Sequence, residues 1–388
     1  MTISSAETSG ERRGRRLLIV VNIPRFFLSH RLALALAAQD AGFDVHIATA
    51  EGDEGAIERI RAHGLTIHTF PMSQHGRAPL TEIRSLLSII LLHRRLRPDI
   101  AHHITIKPVL YGGIAARLSG RPPVVAAMSG LGRTFRDDRG GSRRPSKIFE
   151  MALRFALPQR TTHLLFQNPE DLQLFAEMKL CDGMNSSVIR GSGVDADEFS
   201  PRPEPSGTPV ALFAGRLMRQ KGVEEFIRAA EILRDRVIFE VAGIVEEDAP
   251  GSIAVDQLEE WAQAGTIRWL GPRTDMAEVI AGVSIVVLPS VYGEGVPRIL
   301  IEAAASGRAI VTTDAPGCRE ICKDRVNGLL VPGGDASALA AAIAELAADP
   351  QLRQRYGEAG RAIALEGFTL DTVIQATLDL YDRLSPAA

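Results

Sequence analysis

Residues 284–302 read Ser-Ile-Val-Val-Leu-Pro-Ser-Val-Tyr-Gly-Glu-Gly-Val-Pro-Arg-Ile-Leu-Ile-Glu. The apolar run Ser284–Leu288 has the composition of a strand buried on both faces, and it stops at Pro289-Ser290. Glu294 follows between two glycines, and Gly295-Val296-Pro297 then opens a helix, with Pro297 suited to its first turn. The free N–H groups and positive dipole end of such a helix make an anion site suited to a diphosphate. Glu294 stands outside the helix and Glu302 about a turn and a half inside it, so two carboxylates can address different parts of one ligand.

Working outward, the same strand–helix rhythm fills the chain. Ahead of this stretch come strands at Val210–Ala214, Val237–Ala242 and Thr266–Leu270, with helices at Val223–Leu233 and Ala277–Ala281. Beyond it come a helix at Arg298–Ser306, a strand at Ala309–Thr313, and helices at Ala336–Ala348 and Leu370–Arg383. The first half shows strands at Leu17–Asn22, Asp44–Thr49, Leu65–Phe70 and Asp99–His103. Helices at Ser29–Ala41, Ile57–His63, Leu80–Arg95 and Val109–Leu118 alternate with them. Alternation at this spacing predicts βαβ units and parallel sheets. Pro201-Arg-Pro-Glu-Pro-Ser-Gly-Thr-Pro209 can be neither helix nor ladder, so it reads as a linker. The expected organisation is a first Rossmann-like domain over 1–199, a linker over 200–209 and a second Rossmann-like domain over 210–366. A helix over 367–388 is expected to pack back on the first domain. Ligands of such sheets bind where strand C-termini face the cleft.

Length and composition agree. The chain has 388 residues, enough for two domains, with 45% hydrophobic and 23% charged residues, which excludes disorder, collagen and coiled coil. No apolar run approaches the ~20 residues that span a bilayer. Arg12–Arg16 before Leu17–Val21 is too short for a secretion signal and reads as a first strand behind a disordered tail. Three cysteines without CxxC spacing argue for a reducing cytoplasm and against a zinc site. Residues 1–199 hold 26 Lys+Arg against 20 Asp+Glu, whereas residues 200–388 hold 18 against 27. The halves therefore differ in electrostatic character.

Dinucleotide chemistry fails on the residues: no GxGxxG follows the first strand, and Gly191-Ser-Gly193 precedes the linker rather than a helix. No P-loop is present. Asp195-Ala-Asp197 has the form of a metal-holding DxD, but its place before the linker favours a turn. Val210–Ala214 runs into Gly215-Arg216 and then Lys221-Gly222, two spaced cations on the turn before a helix. Arg grips phosphate oxygens bidentately and Lys acts as a point charge, and both are expected on an exposed turn.

Gly215-Arg216…Lys221-Gly222, Glu294-x7-Glu302, Gly193-Val-Asp…Phe199-x-Pro201 and Gly317…Glu320…Asn327-Gly-Leu-Leu-Val331 together resemble the retaining glycosyltransferases of family GT4, which have the GT-B fold. The first half carries Phe26-Phe-Leu-Ser-His30-Arg31-Leu, Pro98-Asp-Ile-Ala-His102, Thr105-Ile-Lys107-Pro108 and Ser129-Gly-Leu-Gly132. It is similar to the capsule and O-antigen, N-acetylgalactosaminyltransferase-like branch of that family. The resemblance implies that Arg216 and Lys221 neutralise the diphosphate of a nucleotide-sugar donor, which is electrostatic catalysis that needs no metal and no cofactor. It implies that Glu302 binds the ribose hydroxyls and Glu294 lies near the donor sugar. Backbone N–H groups around Gly295, Val296 and Pro297, with Gly215, would complete the donor site. His30, Arg31 and Lys107 fall on the acceptor side. The sequence departs from many relatives in lacking a Gly-rich loop at Ile23–Phe27 and in placing Ile104 where they carry a histidine near the sugar. His102 or adjacent His103 would have to supply that imidazole; strand alternation lets at most one face the cleft, His102 is the candidate taken as catalytic, and a buried structural histidine is the alternative reading of either.

The expected activity is transfer of a sugar from a nucleotide sugar, a UDP-sugar in our reading, to a glycan on a polyprenyl diphosphate. A nucleotide-sugar 2-epimerase of the same architecture and a non-catalytic nucleotide-sugar binder are the alternatives. Nucleic acid is not an expected partner. The basic stretch 133–160, read as a mobile loop around Gly140-Gly141-Ser142, and the cationic end of Leu80–Arg95 predict attachment to an anionic inner membrane face. Leu80–Arg95 is otherwise expected to be a buried helix of the parallel sheet.

Overall fold

The computed structural model describes residues 14–72, 79–135, 144–158, 160–246 and 249–386. The N-terminal tail, Gly140–Ser142, Arg139 and Arg143 lie outside the described residues. The first sheet contains β1 (Arg16–Val20), β2 (Asp44–Ala50), β3 (Thr66–Phe70), β4 (Ile100–Ile104), β5 (Val124–Met128), β6 (Thr162–Phe166) and β7 (Ser186–Val188). Its order is β3-β2-β1-β4-β5-β6-β7. The second contains β8 (Val210–Ala214), β9 (Ile238–Ala242), β10 (Arg268–Gly271), β11 (Ile285–Leu288), β12 (Ala309–Thr313) and β13 (Gly328–Val331), in the order β10-β9-β8-β11-β12-β13. Every pairing is parallel. Both sheets reverse direction beside their first strand, between β1 and β4 and between β8 and β11, which are the crevices where such sheets bind ligands. The architecture is thus the expected pair of doubly wound α/β units.

Alternation along β1 splits the first unit's interior. Leu17 and Ile19 face one core with Leu380 and Tyr381 from the far end of the chain, and Leu18 and Val20 face the other with Ile89. Three strands of the first sheet have no counterpart in the sequence reading. Val124–Met128 is one: its alanines lie among fully buried neighbours, where packing rather than β-propensity decides.

Three expectations are corrected. The helix expected at Ser29–Ala41 is two, Pro24–His30 and Leu32–Asp40, broken where Arg31 leaves helical geometry (φ −136°, ψ −7°). The stretch 133–160 is not one loop, because Gly132–Phe135 and Lys147–Ala156 are helical and the Ser146 hydroxyl caps the latter through the Phe149 amide. Helix Pro79–Leu96 buries Ser85, Ile89, Ile90 and His93 but leaves its opposite face in solvent.

The linker is fastened to the second unit. Arg308 is buried and donates to the carbonyls of Arg202 and Pro203, while Arg353 pairs with Glu204 at 2.6 Å. The chain returns beside its own crossover: Val194 N–H donates to Phe368 O and Leu370 N–H to Val194 O, both at 2.9 Å. Helix Leu370–Leu384 then lies against helix Leu32–Asp40 of the first unit.

Candidate functional site

Two loops leave the switch point of the second sheet, and close backbone packing sets them side by side. Gly222 ends the turn after β8 in the left-handed region (φ 81°), and a Cβ there would stand 2.2 Å from the Pro289 carbonyl. Only glycine lets the loop after β8 approach the loop after β11 so closely. Lys221 is thereby delivered to Glu294: the two are ion-paired, and Ser290 Oγ donates to Glu294 Oε1 at 3.1 Å. Lys221 is not on the exposed turn expected, since only 13% of its side chain is accessible. Arg216 is more open and pairs with Glu246 at 3.3 Å.

Helix Arg298–Ala305 starts with Pro297 as its N-cap. Glu302 is buried one turn inside, and its Oε1 accepts from Arg298 Nε at 2.6 Å. Burial pushes the Glu302 carboxyl up to about 6, against the pull of the Arg298 guanidinium. Arg298 also donates to the carbonyl of Ser29 in the first unit, so one side chain ties the helix to both walls of the cleft. The backbone cradle differs from expectation. Pro297 has no N–H, and the Val296 amide donates across the cleft to Gln167 Oε1 at 2.9 Å. Arg298 and Gln167 had no reading in the sequence, because neither belongs to a local motif that marks a partner in the other half.

The first unit's switch point supplies the facing wall. His30 ends the helix after β1; its ring stacks on Phe26 (centroids 4.3 Å apart) and Nδ1 lies 2.7 Å from Ser29 Oγ. Its pKa is pushed down to about 3, first by burial and then by Arg298, Arg31 and Lys221. Cations from both units therefore converge on a neutral imidazole. Arg31 is buried with its Nη1 on the His30 carbonyl at 3.1 Å. Burial lowers its pKa to about 10. Lys107, on the helix after β4, pairs with Glu82 at 2.8 Å, and Tyr111 donates to the same carboxylate. Thr105, just before it, holds φ 74° and donates to Asn22 at 2.9 Å. A β-branched residue in that region is strained, and strain of this kind collects at working sites.

His102 and His103 point to opposite faces, as alternation requires. His103 Nε2 lies 3.3 Å from His93 Nε2, and His102 Nδ1 lies 2.6 Å from the Tyr381 hydroxyl. His102 is buried rather than set in the open cleft, and burial lowers its pKa to about 3. Its Nε2, Arg31 Nε and Ser129 Oγ lack partners, and all three residues line one void of about 10 Å³, room for about one water. Asp195 is accounted for locally, its Oδ1 accepting from the amides of Asp197 and Glu198 at 3.0 Å.

Glycines of the Ser129–Gly132 segment allow the two units to touch. Gly130 holds φ 100°, and a Cβ there would lie 2.5 Å from Gly295 N. Gly132 N–H donates to Gly293 O at 3.1 Å. Ion pairs Arg190–Glu320 (2.6 Å) and Arg319–Glu170 (2.5 Å) complete the contact.

Residues 16–168 match the family model described as glycosyl transferase 4-like, and residues 208–349 match that of the glycosyl transferases group 1. An N,N'-diacetylbacillosaminyl-diphospho-undecaprenol alpha-1,3-N-acetylgalactosaminyltransferase of Campylobacter jejuni is 25% identical over 92% of this chain and 98% of its own. A UDP-Gal:alpha-D-GlcNAc-diphosphoundecaprenol alpha-1,3-galactosyltransferase of Escherichia coli is 25% identical over 78% of this chain and 80% of its own. Among solved structures, a glycosyltransferase from Rickettsia africae superposes with a TM-score of 0.78 at 17% identity, covering 97% of this chain and 100% of that one. Anabaena HepE in complex with UDP and glucose does so at 0.75 and 19% identity, covering 94% and 99%.

Proposed function

This chain belongs to the GT4-like glycosyltransferases of GT-B fold, and from that premise we propose that it transfers a sugar, with retention, from a UDP-sugar to a glycan on a polyprenyl diphosphate. The observation that carries the reading is the meeting of Lys221, Glu294, Arg298 and Glu302 with His30 at the facing switch points. The acceptors of the Campylobacter and Escherichia relatives, both diphospho-undecaprenol derivatives, support the acceptor class.

In this reading Arg216 and Lys221 take the donor diphosphate, exchanging their carboxylate partners for phosphate oxygens. The C1–O bond to the diphosphate then breaks as negative charge grows on the leaving group, and a preorganised cation is worth most at that moment. The acceptor hydroxyl oxygen forms the new C1 bond in the same anomeric sense, and its proton passes to the departing diphosphate oxygen. Glu302 accepts from the ribose hydroxyls, and Glu294, released from Lys221, lies beside the donor sugar. His30, neutral, orients hydroxyl groups by hydrogen bonding rather than carrying charge, while Arg31 and Lys107 serve the acceptor side. His102 acts from behind, holding Arg31 and the Ser129 loop through the small void. The Val296 amide becomes available to phosphate when Gln167 yields it. The cations make a metal unnecessary for charge neutralisation. We further infer that the enzyme works at the cytoplasmic face of the membrane, where such an acceptor is held.

The test is a screen of UDP-sugars with a polyprenyl-diphosphate glycan, scored by UDP release in excess chelator. Release only when donor and acceptor are both present supports transfer. Release from no pairing, or release that needs magnesium or manganese, overturns the reading or its metal-free chemistry respectively.

A further inference from the structure

We propose that the face of the first unit built from helices Pro79–Leu96, Ile106–Leu118 and Lys147–Ala156 is a seat for an anionic phospholipid bilayer, with a separate cationic groove at its end for a lipid phosphate. This rests on the membrane reading above and replaces a mobile basic loop with a face of three packed helices.

Among the described residues, thirteen large hydrophobic side chains are exposed, and eight belong to these three helices. On Pro79–Leu96 they are Leu80, Ile83, Leu87 and Leu91, spaced so that all share one face opposite the buried Ile89 and His93. On Lys147–Ala156 they are Ile148, Met151 and Phe155, again along one stripe, with Ile148 82% and Met151 69% exposed. The middle helix packs against both neighbours and sits low between them. A Cβ on Gly112 would lie 2.6 Å from the His103 ring, and one on Gly113 2.4 Å from the Ala156 carbonyl. Leu110, Ile114 and Leu118 line its outer side. Scattered exposed leucines need no explanation, but an exposed apolar stripe on each of two helices that flank a third does. No helix among the described residues is long and apolar enough to cross a membrane, so the face can lie on a bilayer but not span it.

Charge selects the occupant. Segments 79–121 and 144–160 carry eleven Lys and Arg against three acids, and two of those acids, Glu82 and Glu150, are already held by Lys107 and Arg154. At the C-terminal ends of the helices, Arg117, Arg121, Arg154, Arg160 and Lys179 line a groove of about 480 Å³, of a size for a small ligand or headgroup. The Arg117 guanidinium lies 4.4 Å from the centre of the exposed Phe155 ring, which joins the groove to the apolar stripe. Arg121 and Lys179 are held at φ 58° and 55°, a region that long side chains rarely adopt. Both stand just past a helix end, where this conformation closes the last turn: Arg121 N–H donates to Ala116 O and Lys179 N–H to Ala176 O. A self-complementary interface would not gather so much charge of one sign, whereas a bilayer rich in phosphate would be attracted by it.

Flotation of the full chain with vesicles decides the matter. Binding to phosphatidylcholine containing phosphatidylglycerol is expected to exceed binding to phosphatidylcholine alone at least tenfold at about 0.1 M salt, where the screening length is about 10 Å. Leu87→Ser with Met151→Ser, both at exposed positions, is expected to lower binding at least tenfold with an unchanged melting temperature. Arg121→Asn with Lys179→Asn suits the left-handed backbone and is expected to abolish the preference for phosphatidylglycerol. Wild-type-like binding by both variants overturns the surface. Self-association that the serine variant abolishes, without vesicle binding by the wild type, replaces the bilayer with a second copy. The enzymatic reading is tested apart: both variants should turn over a short-chain, water-soluble acceptor like wild type. Vesicle binding without turnover of any acceptor would sink the transferase reading and leave the docking surface standing.

Discussion

Lys221 and Arg216 differ in a way that separates catalysis from stability. Loss of a transition-state charge contact of ~2–4 kcal/mol corresponds to roughly 30- to 1,000-fold in rate. Arg216→Ala and Lys221→Ala are therefore each expected to lower turnover at least tenfold in a UDP-release assay. Lys221→Ala also leaves the nearly buried Glu294 carboxylate without its cation, so its melting temperature should fall, whereas Arg216→Ala should melt like wild type. Glu302 offers a test by pH. Its raised pKa means that the folded protein prefers the protonated form, so Glu302 contributes most to stability below about 4.5 and least above about 6. Ribose hydroxyls need the ionised carboxylate as acceptor, so affinity for a UDP-sugar should decline as pH falls through about 6. Glu302→Gln should bind more weakly and show no such decline. A decline of equal size in the variant would assign the titration elsewhere. These roles were open to sequence reading because each lies in a local motif. Arg298 was invisible, since the Ser29 carbonyl that it reaches is 269 positions away.

At the scale of elements, helix Leu370–Leu384 shows what periodicity can and cannot supply. Its apolar spacing predicts the helix within a residue or so. Its docking rests on Tyr381, fully buried, with its ring edge-on to Phe43 and its hydroxyl 2.6 Å from His102 Nδ1. Tyr381→Phe keeps the ring and removes only the hydroxyl, leaving a buried imidazole nitrogen unpaired at a cost of about 1–3 kcal/mol. For a domain of this size that is a loss of about 2–4 °C in melting temperature per kcal/mol. Turnover should fall as well if His102 steadies Arg31, whereas an unchanged melting temperature would mean that the contact contributes nothing. Elements misread from sequence failed for local reasons. Arg31 continues the apolar spacing of its neighbours yet leaves helical geometry, so a 3.6-residue period gives no sign of the break. Leu80, Leu87 and Leu91 read as core because hydropathy cannot distinguish a face that meets protein from one that meets solvent.

For the molecule as a whole, two rounds of βαβ rhythm around a proline-rich joint were enough for the architecture, because short crossovers and parallel pairing leave few topologies. The docking of one unit on the other was not legible: Gln167–Val296 and His102–Tyr381 join residues 129 and 279 apart and exist only once both sheets have formed. That arrangement has a consequence for acid stability. His93, His102 and His103 are buried and neutral, and burial pushes His93 down to about 4, His102 to about 3 and His103 well below its ordinary value. In the unfolded chain each titrates near 6.5, so between that pH and the folded values the unfolded state binds more protons and stability falls with pH. At pH 5 His93 and His102 are each worth roughly 2 kcal/mol in this sense, so the two together approach roughly 4 of the 5–15 kcal/mol typical of a folded domain, and His103 acts in the same direction. Glu302 acts in the opposite direction, but as a single group with a smaller displacement. The melting temperature should be level from about pH 7 to 8 and fall steeply below about pH 6. His93→Leu with His103→Leu, which removes two of the buried sites, should move that falling limb to lower pH even if the plateau drops. A melting temperature that holds constant down to pH 5 in the wild type would show that these imidazoles accept protons without unfolding the first unit.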